Sequence, residues 1–561
     1  MTSRARISSV QKSINFLNNY FNQFNFLGLV FGLAFFSFSV LPSLMPRPWL
    51  YQGVISGISI LIGYGIGTAL SAIFRWMFEW DVSPRIKTIA WRAFAIIGPL
   101  VFFIYLYEGT VWQKEVYQLV GEADPDKRFL SRIFLTTLIV FVIFLAISRT
   151  IRRLAKFLIR QLDRILPRRV SVGLGSGLVF LLMFWLLTGV AYNFFVFNAN
   201  NIYKYKNSET PAGVTQPIQP TRSGSPESLI KWNTLGYQGK KFVSGGPSTD
   251  QLAALGDTNT KPQIRVYSGL DSAPNPSARA ELAVKELERT GAFNRKILVL
   301  ATTTGTGWLE PQAVDSLEYI YGGDSAIVAQ QYSYLPSWIS FLVDKQNAQD
   351  AGKALYDAVY SEWSKLPQES RPKLIAYGLS LGSFGGQSAY TGVGDIRASI
   401  DGTLFVGTPN DTQLWRTVTK DRDPGSPEYL PVYQQGKAVR FAATNKQIEA
   451  NSNQWQQPKV LYLQHASDPV VWFDFNLWRE EPDWLKEPRG PDVSPRTHWY
   501  PFVTFVQVAI DQFFGTTVPN GHGHNYGNTM VDAWQAVAPN PDFSAEESAT
   551  LNEIISNYPN D

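Results

Sequence analysis

The chain of 561 residues contains no cysteine. Disulfide bonds, zinc sites built on thiolates and cysteine nucleophiles are therefore excluded. Histidine is scarce as well, with four residues, so a reaction that depends on histidine has few candidates. The sequence also lacks a G-x-x-x-x-G-K phosphate loop and an H-E-x-x-H zinc motif, which argues against an ATP-driven pump and a metalloprotease. We expect neither a cofactor nor a metal ion.

Charge is nearly balanced, with 50 basic and 46 acidic residues and a net charge of +4. This balance gives no sign of a nucleic-acid partner. The length predicts two or three folded units. Long apolar runs fill the first third of the chain, whereas the rest has the mixed charge and frequent Gly, Pro and Trp of a soluble enzyme. The sequence thus predicts a membrane part joined to a water-soluble part.

Five apolar segments are predicted to cross a bilayer, for which a helix needs about 20 residues. The third is the weakest, because Arg92 lies within it and has to reach the interface. The five segments are residues 26–44, 53–74, 88–107, 133–148 and 171–196.

Basic residues indicate the orientation of these segments. They concentrate in the head, residues 1–25, and in two of the connections, residues 75–87 and 149–169. With five spans all three regions lie on one side, and the positive-inside rule identifies that side as the cytoplasm. The C-terminal domain is then predicted on the outer face of the cell membrane. If the third segment failed to span, the same rule would place the domain inside.

Composition sets the predicted domain bounds. Residues 1–25 form a cytoplasmic head, 26–197 a transmembrane helical domain, and 198–260 a connector rich in Asn, Gln, Ser, Thr, Pro and Gly. In residues 261–561 strand and helix patterns alternate, which predicts a mostly parallel sheet with crossover helices. The predicted strands lie at 264–267, 296–301, 373–377, 398–406 and 460–464.

The strongest local motif is Gly378-Leu379-Ser380-Leu381-Gly382, directly after the predicted strand 373–377. This is the G-x-S-x-G pattern of a nucleophile elbow, in which a strand turns sharply into a helix and exposes a serine hydroxyl. The motif alone is a weak signal, because glycine and serine are common in loops.

A serine hydroxyl needs a histidine to accept its proton and a carboxylate to orient that histidine. Asp468 follows the predicted strand that ends at His465, where this kind of fold places the acid. His522 and His524 lie in a later glycine-rich loop, so the chain order is serine, aspartate, histidine. We favour His524 as the base, because it follows glycine and directly precedes a helical stretch. His522 is the reserve base.

Two further residues are weaker candidates for the acid and the base, and three residues are candidates for the oxyanion site. Asp474 is a reserve acid within an aromatic run, and His498 beside Trp499 and Tyr500 is given little weight. Backbone donors for the oxyanion are expected from Leu381 and from the loop after the strand 296–301, at Thr303 or Thr304.

Long motifs in both halves carry a resemblance to a known family. They are Pro42-Ser43-Leu44-Met45-Pro46-Arg47, the glycine-rich span 52–67, Ile264-Arg265-Val266-Tyr267, Thr304-Gly305-Thr306-Gly307-Trp308, residues 331–338, Ser380-Leu381-Gly382 and Gly521-His522-Gly523-His524-Asn525-Tyr526. On these motifs the chain resembles the actinobacterial membrane-anchored α/β-hydrolase family, which joins an N-terminal multispanning domain to a C-terminal hydrolase domain. The resemblance implies the fold and a serine hydrolase mechanism. It does not imply a substrate.

The predicted fold is an α-helical transmembrane domain of about five spans followed by an α/β-hydrolase domain. The predicted function is that of a membrane-anchored serine hydrolase, similar to an esterase or lipase, acting on a lipid or acylated cell-envelope substrate beside membrane lipids. An envelope acyltransferase using the same triad is one alternative, and a non-catalytic membrane scaffold is another. The complete set of serine, aspartate and histidine argues against the scaffold.

Overall fold

The computed structural model describes residues 23–78, 82–125, 128–256, 259–450 and 454–559. Most of the predicted head, residues 1–22, therefore lies outside the described residues. The chain forms two compact units. The first, called the helical unit below, comprises Met1–Leu181, Phe475–Pro482 and Ser494–Asp511. The second, called the sheet unit, comprises Leu182–Asp474, Asp483–Val493 and Gln512–Asp561.

Long apolar helices dominate the N-terminal region. They are α1 (Phe26–Ser39), α2 (Trp49–Phe78), α3 (Pro84–Leu119), α4 (Phe129–Leu162), α5 (Arg168–Trp185) and α6 (Tyr192–Ser208). A π-helical stretch, Leu186–Ala191, joins α5 to α6, so that Arg168–Ser208 runs as one helix of 41 residues.

Four of these helices are long and apolar enough to cross a membrane: α2, α3, α4 and the helix Arg168–Ser208. The third predicted span falls within α3, which has 36 residues. Helix α1 is apolar but has 14 residues, fewer than a span needs. The prediction of about five spans is thus roughly right.

A late segment of the chain packs within the helical unit. This segment ends in α19 (Val503–Asp511), and Asp511 is fully buried against the loop between α1 and α2. Arg47 Nε donates to Asp511 Oδ1 at 2.8 Å, and Ser43 Oγ donates to Asp511 Oδ2 at 2.6 Å. Gln507 Nε2 donates to the carbonyl of Ser39 at 3.2 Å. The Pro42 to Arg47 motif is therefore the loop that holds α19.

The sheet unit is built on seven parallel strands in the order β1-β3-β2-β4-β5-β7-β6. This confirms the predicted parallel sheet. The strands are β1 (Ile264–Ser268), β2 (Ile297–Thr302), β3 (Ser325–Gln330), β4 (Lys373–Leu379), β5 (Gly402–Val406), β6 (Val439–Ala442) and β7 (Lys459–Leu463). The sequence patterns did not predict β3 or β6.

Helices cover both faces of this sheet, and their apolar faces complete its core. The segment predicted as a connector, residues 198–260, contains the end of α6 and two short helices, α7 and α8. The helices after α6 are α7 (Gly236–Ser244), α8 (Thr249–Ala254), α9 (Pro276–Thr290), α10 (Pro311–Ile320), α11 (Ser337–Val343), α12 (Lys345–Trp363), α13 (Leu381–Gln387), α14 (Val393–Ser399), α15 (Gln413–Lys420), α16 (Asn445–Glu449), α17 (Pro469–Trp472), α18 (Asp483–Lys486), α20 (Met530–Val537) and α21 (Ala545–Ser556).

The central strands determine where a site can form. Strands β2, β4, β5 and β7 are neighbours, and nearly all of their residues are buried in runs of apolar side chains. Because the strands are parallel, their carboxyl ends meet at one edge of the sheet, and ligands bind at this edge in such folds. The loops after β2, β4 and β7 carry Thr303, Thr304, Ser380 and Asp468, whereas His522 and His524 lie in a later loop between α19 and α20.

Candidate active site

Ser380 lies at the turn between β4 and α13, in a conformation that non-glycine residues rarely adopt, with φ 56° and ψ −125°. Such a conformation costs about 1–3 kcal/mol. The flanking glycines allow it: a Cβ on Gly382 would lie 2.1 Å from the Thr302 carbonyl oxygen, and one on Gly378 would lie 2.5 Å from the Gly382 backbone. The pattern G-x-S-x-G thus follows from the close packing of the turn.

His524 and Asp468 form a buried pair. His524 Nδ1 donates to Asp468 Oδ2 at 2.7 Å, and the aspartate side chain is fully buried. Two more donors reach this carboxylate: Tyr526 Oη on Oδ2 at 2.6 Å and the Val470 N–H on Oδ1 at 2.8 Å. Burial raises the pKa of Tyr526 well above its usual value, so its hydroxyl stays protonated and keeps donating. The carboxylate is held in place to orient the imidazole.

The second nitrogen of His524 completes this arrangement. Nε2 is buried and has no hydrogen-bond partner among the described residues. Ser380 and His524 both line one cavity of about 510 Å³. A polar nitrogen left without a partner in the cavity that holds the serine is suited to accept a proton there. The structure brings Ser380, Asp468 and His524 together at the carboxyl edge of the sheet.

The other acid and base candidates lie elsewhere. His522 does not line the cavity, and its Nδ1 lies 3.4 Å from Asp492 Oδ2. Asp474 accepts a hydrogen bond from Arg416 Nη2 at 2.9 Å. His498 is exposed and belongs to the helical unit.

A second buried histidine supports the loop that carries His524. Burial lowers the pKa of His465, so it stays neutral, and its Nδ1–H donates to the Gly523 carbonyl at 2.9 Å. Its ring stacks on Tyr526, with centroids 4.2 Å apart. The Gly523 N–H in turn donates to Ser467 Oγ at 2.8 Å. The sequence analysis missed this support, because nothing in the local pattern pairs His465 with a loop almost 60 residues away.

Asp492 completes the same polar layer. Burial opposes ionisation of its carboxyl, but the effects that favour the ionised form, above all hydrogen bonds from His522 and Ser467, outweigh this and lower the pKa of Asp492. The carboxylate therefore stays ionised and fixes the residues next to the candidate base.

The three oxyanion candidates differ in their surroundings. Leu381 lines the cavity and is the first residue of α13. The Thr304 N–H already donates to the Trp308 carbonyl at 3.0 Å. Thr303 is fully buried, its hydroxyl bonds the Gln330 carbonyl at 3.0 Å, and its backbone lies against the elbow at Gly382. Thr304 lines the cavity and Thr303 does not, so both threonines stay candidates for the second donor.

The cavity has an apolar wall and a polar rim. The wall includes Leu381, Val470 and three aromatic residues, Trp338, Phe341 and Phe513. Part of the rim comes from Gln238 and Lys241 of α7, in the segment predicted as a connector. Sequence reasoning missed this contribution, because α7 is short and no motif marks it.

Among residues 23–78, 82–125, 128–256, 259–450 and 454–559, no group of three or more His, Asp or Glu side chains could hold a metal ion.

Comparison with known families gives two matches. A family model described as an alpha/beta-hydrolase family matches residues 264–551. A second model, described as the N-terminus of that family, matches residues 40–247. No curated protein and no solved structure gives a match to this chain.

Proposed function

The chain belongs to this α/β-hydrolase family and carries its N-terminal domain, and from this premise we propose that it is a membrane-anchored serine hydrolase. One observation carries the proposal: the strained Ser380 shares a cavity with His524, whose Nδ1 is bonded to the buried Asp468. The substrate class we propose is a lipid or another acylated component of the cell envelope.

The reaction follows from the positions of these groups. Ser380 Oγ attacks the carbonyl carbon of an ester while His524 Nε2 takes the hydroxyl proton. Asp468 holds the imidazole orientation and stabilises its positive charge. Backbone N–H groups of Leu381 and of Thr303 or Thr304 stabilise the oxyanion. His524 then gives the proton to the leaving alcohol. Water attacks the acyl-enzyme in the same way, which releases the acid and regenerates Ser380.

The membrane part supports the location of this chemistry. Four helices are long and apolar enough to cross a membrane, and we propose that they anchor the enzyme in the cell membrane. The basic connections 75–87 and 149–169 lie on the cytoplasmic side by the positive-inside rule. The sheet unit then faces the cell envelope, where membrane lipids are its neighbours.

Labelling with a fluorophosphonate tests the proposal, because this probe reacts with an activated serine. We expect the full-length protein in membranes to be labelled and the Ser380→Ala variant to remain unlabelled. A matched control is Ser383→Ala, which changes a buried serine in α13 that bonds Thr408 at 2.7 Å instead of lining the cavity. A folded wild-type protein that takes no label would contradict the proposed function.

A further inference from the structure

An aromatic surface connects α6, the end of the long helix Arg168–Ser208, to the candidate active site. In the sheet unit, the Phe195 ring of α6 lies 6.4 Å from the Trp338 ring of α11. Trp338 in turn contacts Phe513, with ring centroids 5.1 Å apart and the planes at 66°. Trp338 and Phe513 line the cavity that holds Ser380. A row of three rings thus runs from α6 to the cavity that holds Ser380.

Helices α6 and α11 are firmly packed together beyond this row. Ala199 and Tyr203 of α6 contact Leu335, Ile339 and Val343, at or next to α11. Since these contacts are buried and apolar, they fix α11 against the helix that leads into it. The cavity wall formed by Trp338 is therefore attached to α6.

The position of Phe195 along its helix corresponds to a membrane surface. The helix Arg168–Ser208 has 41 residues, which gives a length of about 60 Å, twice the hydrocarbon thickness of a bilayer. Phe195 comes about 40 Å along the axis after the basic residue Arg169. Its apolar stretch ends at Phe197 and is followed by Asn198. Tyr192 precedes this border and Tyr205 follows it, and tyrosine is typical of the membrane interface.

The rings along this row are partly exposed despite their size. The exposed fractions are 44% for Phe195, 40% for Trp338 and 48% for Phe513. Leu342, one helical turn after Trp338, is 58% exposed. Contiguous apolar surface of this kind marks a site for a membrane or an apolar ligand. Its position beside the end of a long apolar helix favours lipid as the occupant.

From these contacts, and resting on the proposed function, we propose that Ser380 acts on an acyl ester that resides in the bilayer. The acyl chain of this substrate enters the cavity across Phe195, Trp338 and Phe513. The cavity volume of about 510 Å³ lies within the range of roughly 300–1,000 Å³ that small-molecule sites occupy. The apolar wall accommodates the chain, and the ester group reaches Ser380.

Two substrates distinguish an enzyme that takes its ester from the bilayer from an esterase that takes it from water. The full-length enzyme in phosphatidylcholine vesicles is given p-nitrophenyl palmitate, which is held in the bilayer, or p-nitrophenyl butyrate, which is dissolved in water. We expect Phe195→Asn to lower the ratio of kcat/KM for palmitate over butyrate about tenfold, because a polar side chain interrupts the row. Phe195→Leu keeps an apolar surface and should hold the ratio within about twofold of wild type.

Phe194→Asn is the matched control, since it makes the same substitution on the adjacent residue, which is 70% exposed. It should leave the ratio unchanged. If Phe194→Asn lowered the ratio as much as Phe195→Asn does, the cause would be weaker membrane anchoring, and the proposed route would be wrong. An unchanged ratio in Phe195→Asn would overturn it as well. If wild type neither takes the fluorophosphonate label nor hydrolyses butyrate, the proposed function itself fails. If wild type takes the label and hydrolyses butyrate, an unchanged ratio in Phe195→Asn contradicts the route but not the proposed function.

Discussion

At the scale of single residues, two histidines of one loop have different surroundings. His524 is bonded to Asp468 and lines the cavity, whereas His522 is near Asp492 and does not line it. We expect His524→Ala to lower kcat for ester hydrolysis roughly 10⁴- to 10⁶-fold, as loss of a catalytic base does in other serine hydrolases. His522→Ala should change kcat by less than about tenfold. Similar losses in both variants, measured at equal protein stability, would contradict this assignment of the base.

Glu428 provides a prediction about pH. Burial, helped by nearby Asp483 and Glu487, raises the pKa of Glu428 to about 7, although a hydrogen bond from the Trp484 N–H and the charge of Arg422 lower it. The folded protein thus holds this proton more tightly than the unfolded chain does. The stability that Glu428 contributes is complete below pH of about 4.5 and is lost as the pH rises through about 7.

Replacing Glu428 by Gln removes this titration. At about 1.4 kcal/mol per pKa unit, the Glu428→Gln variant should gain about 3 kcal/mol of stability relative to wild type at pH 8 and little at pH 4. Thermal unfolding of both proteins in detergent at the two pH values measures the difference. A gain that is the same at both values would contradict the prediction.

At the scale of elements, the loop between α1 and α2 and the late helix α19 depend on each other. The Arg47–Asp511 pair joins them, and both side chains are fully buried. Removing one charge leaves the other buried without its partner, which typically costs about 3–5 kcal/mol, whereas replacing both by apolar residues is often nearly neutral.

We therefore expect Arg47→Met to destabilise the helical unit by about 4 kcal/mol. The double variant Arg47→Met with Asp511→Leu should recover most of this loss. Unfolding of the single variants and the double variant in detergent gives the coupling between the two positions. If the loss of unfolding free energy in the double variant equals the sum of the losses in the two single variants, the two side chains do not stabilise each other.

The elements also show how far the sequence could predict this molecule. Local patterns were sufficient for the elbow at Ser380 and for the long apolar helices, because strand-turn-helix spacing and hydropathy are properties of neighbouring residues. Strand β6 has four residues, one of them Arg440, and is too short and too polar to show a pattern. The contact of Ser43 with Asp511 joins residues 468 positions apart, and no local pattern can show such a pair.

At the scale of the whole molecule, the orientation of the sheet unit does not depend on whether α1 crosses the membrane. The basic connections 75–87 and 149–169 are separated by α3 and α4, so they lie on one side when both helices span. The helix Arg168–Ser208, which is also long and apolar enough to cross a membrane, leads from the second connection to the sheet unit. The orientation that we propose puts the sheet unit on the side opposite to these connections if this helix spans, and the number of spans before residue 75 then changes the side of the head alone.

Two contacts inside the helical unit hold its late segment against the long helices. The late segment that ends in α19 contacts the loop between α1 and α2 through Asp511, and Arg496 pairs with Glu115 near the end of α3. Both contacts are at helix ends remote from the basic connections. Within the helical unit, the late segment thus lies at helix ends remote from the basic connections.

Because the chain has no cysteine, single introduced cysteines give a clear test of this orientation. Glu369→Cys places a thiol on an exposed loop of the sheet unit, and Arg164→Cys places one on an exposed turn after α4. We expect a membrane-impermeant maleimide to label Glu369→Cys in intact cells and to label Arg164→Cys after permeabilisation. The reverse pattern would place Ser380 in the cytoplasm and rule out substrates of the outer leaflet.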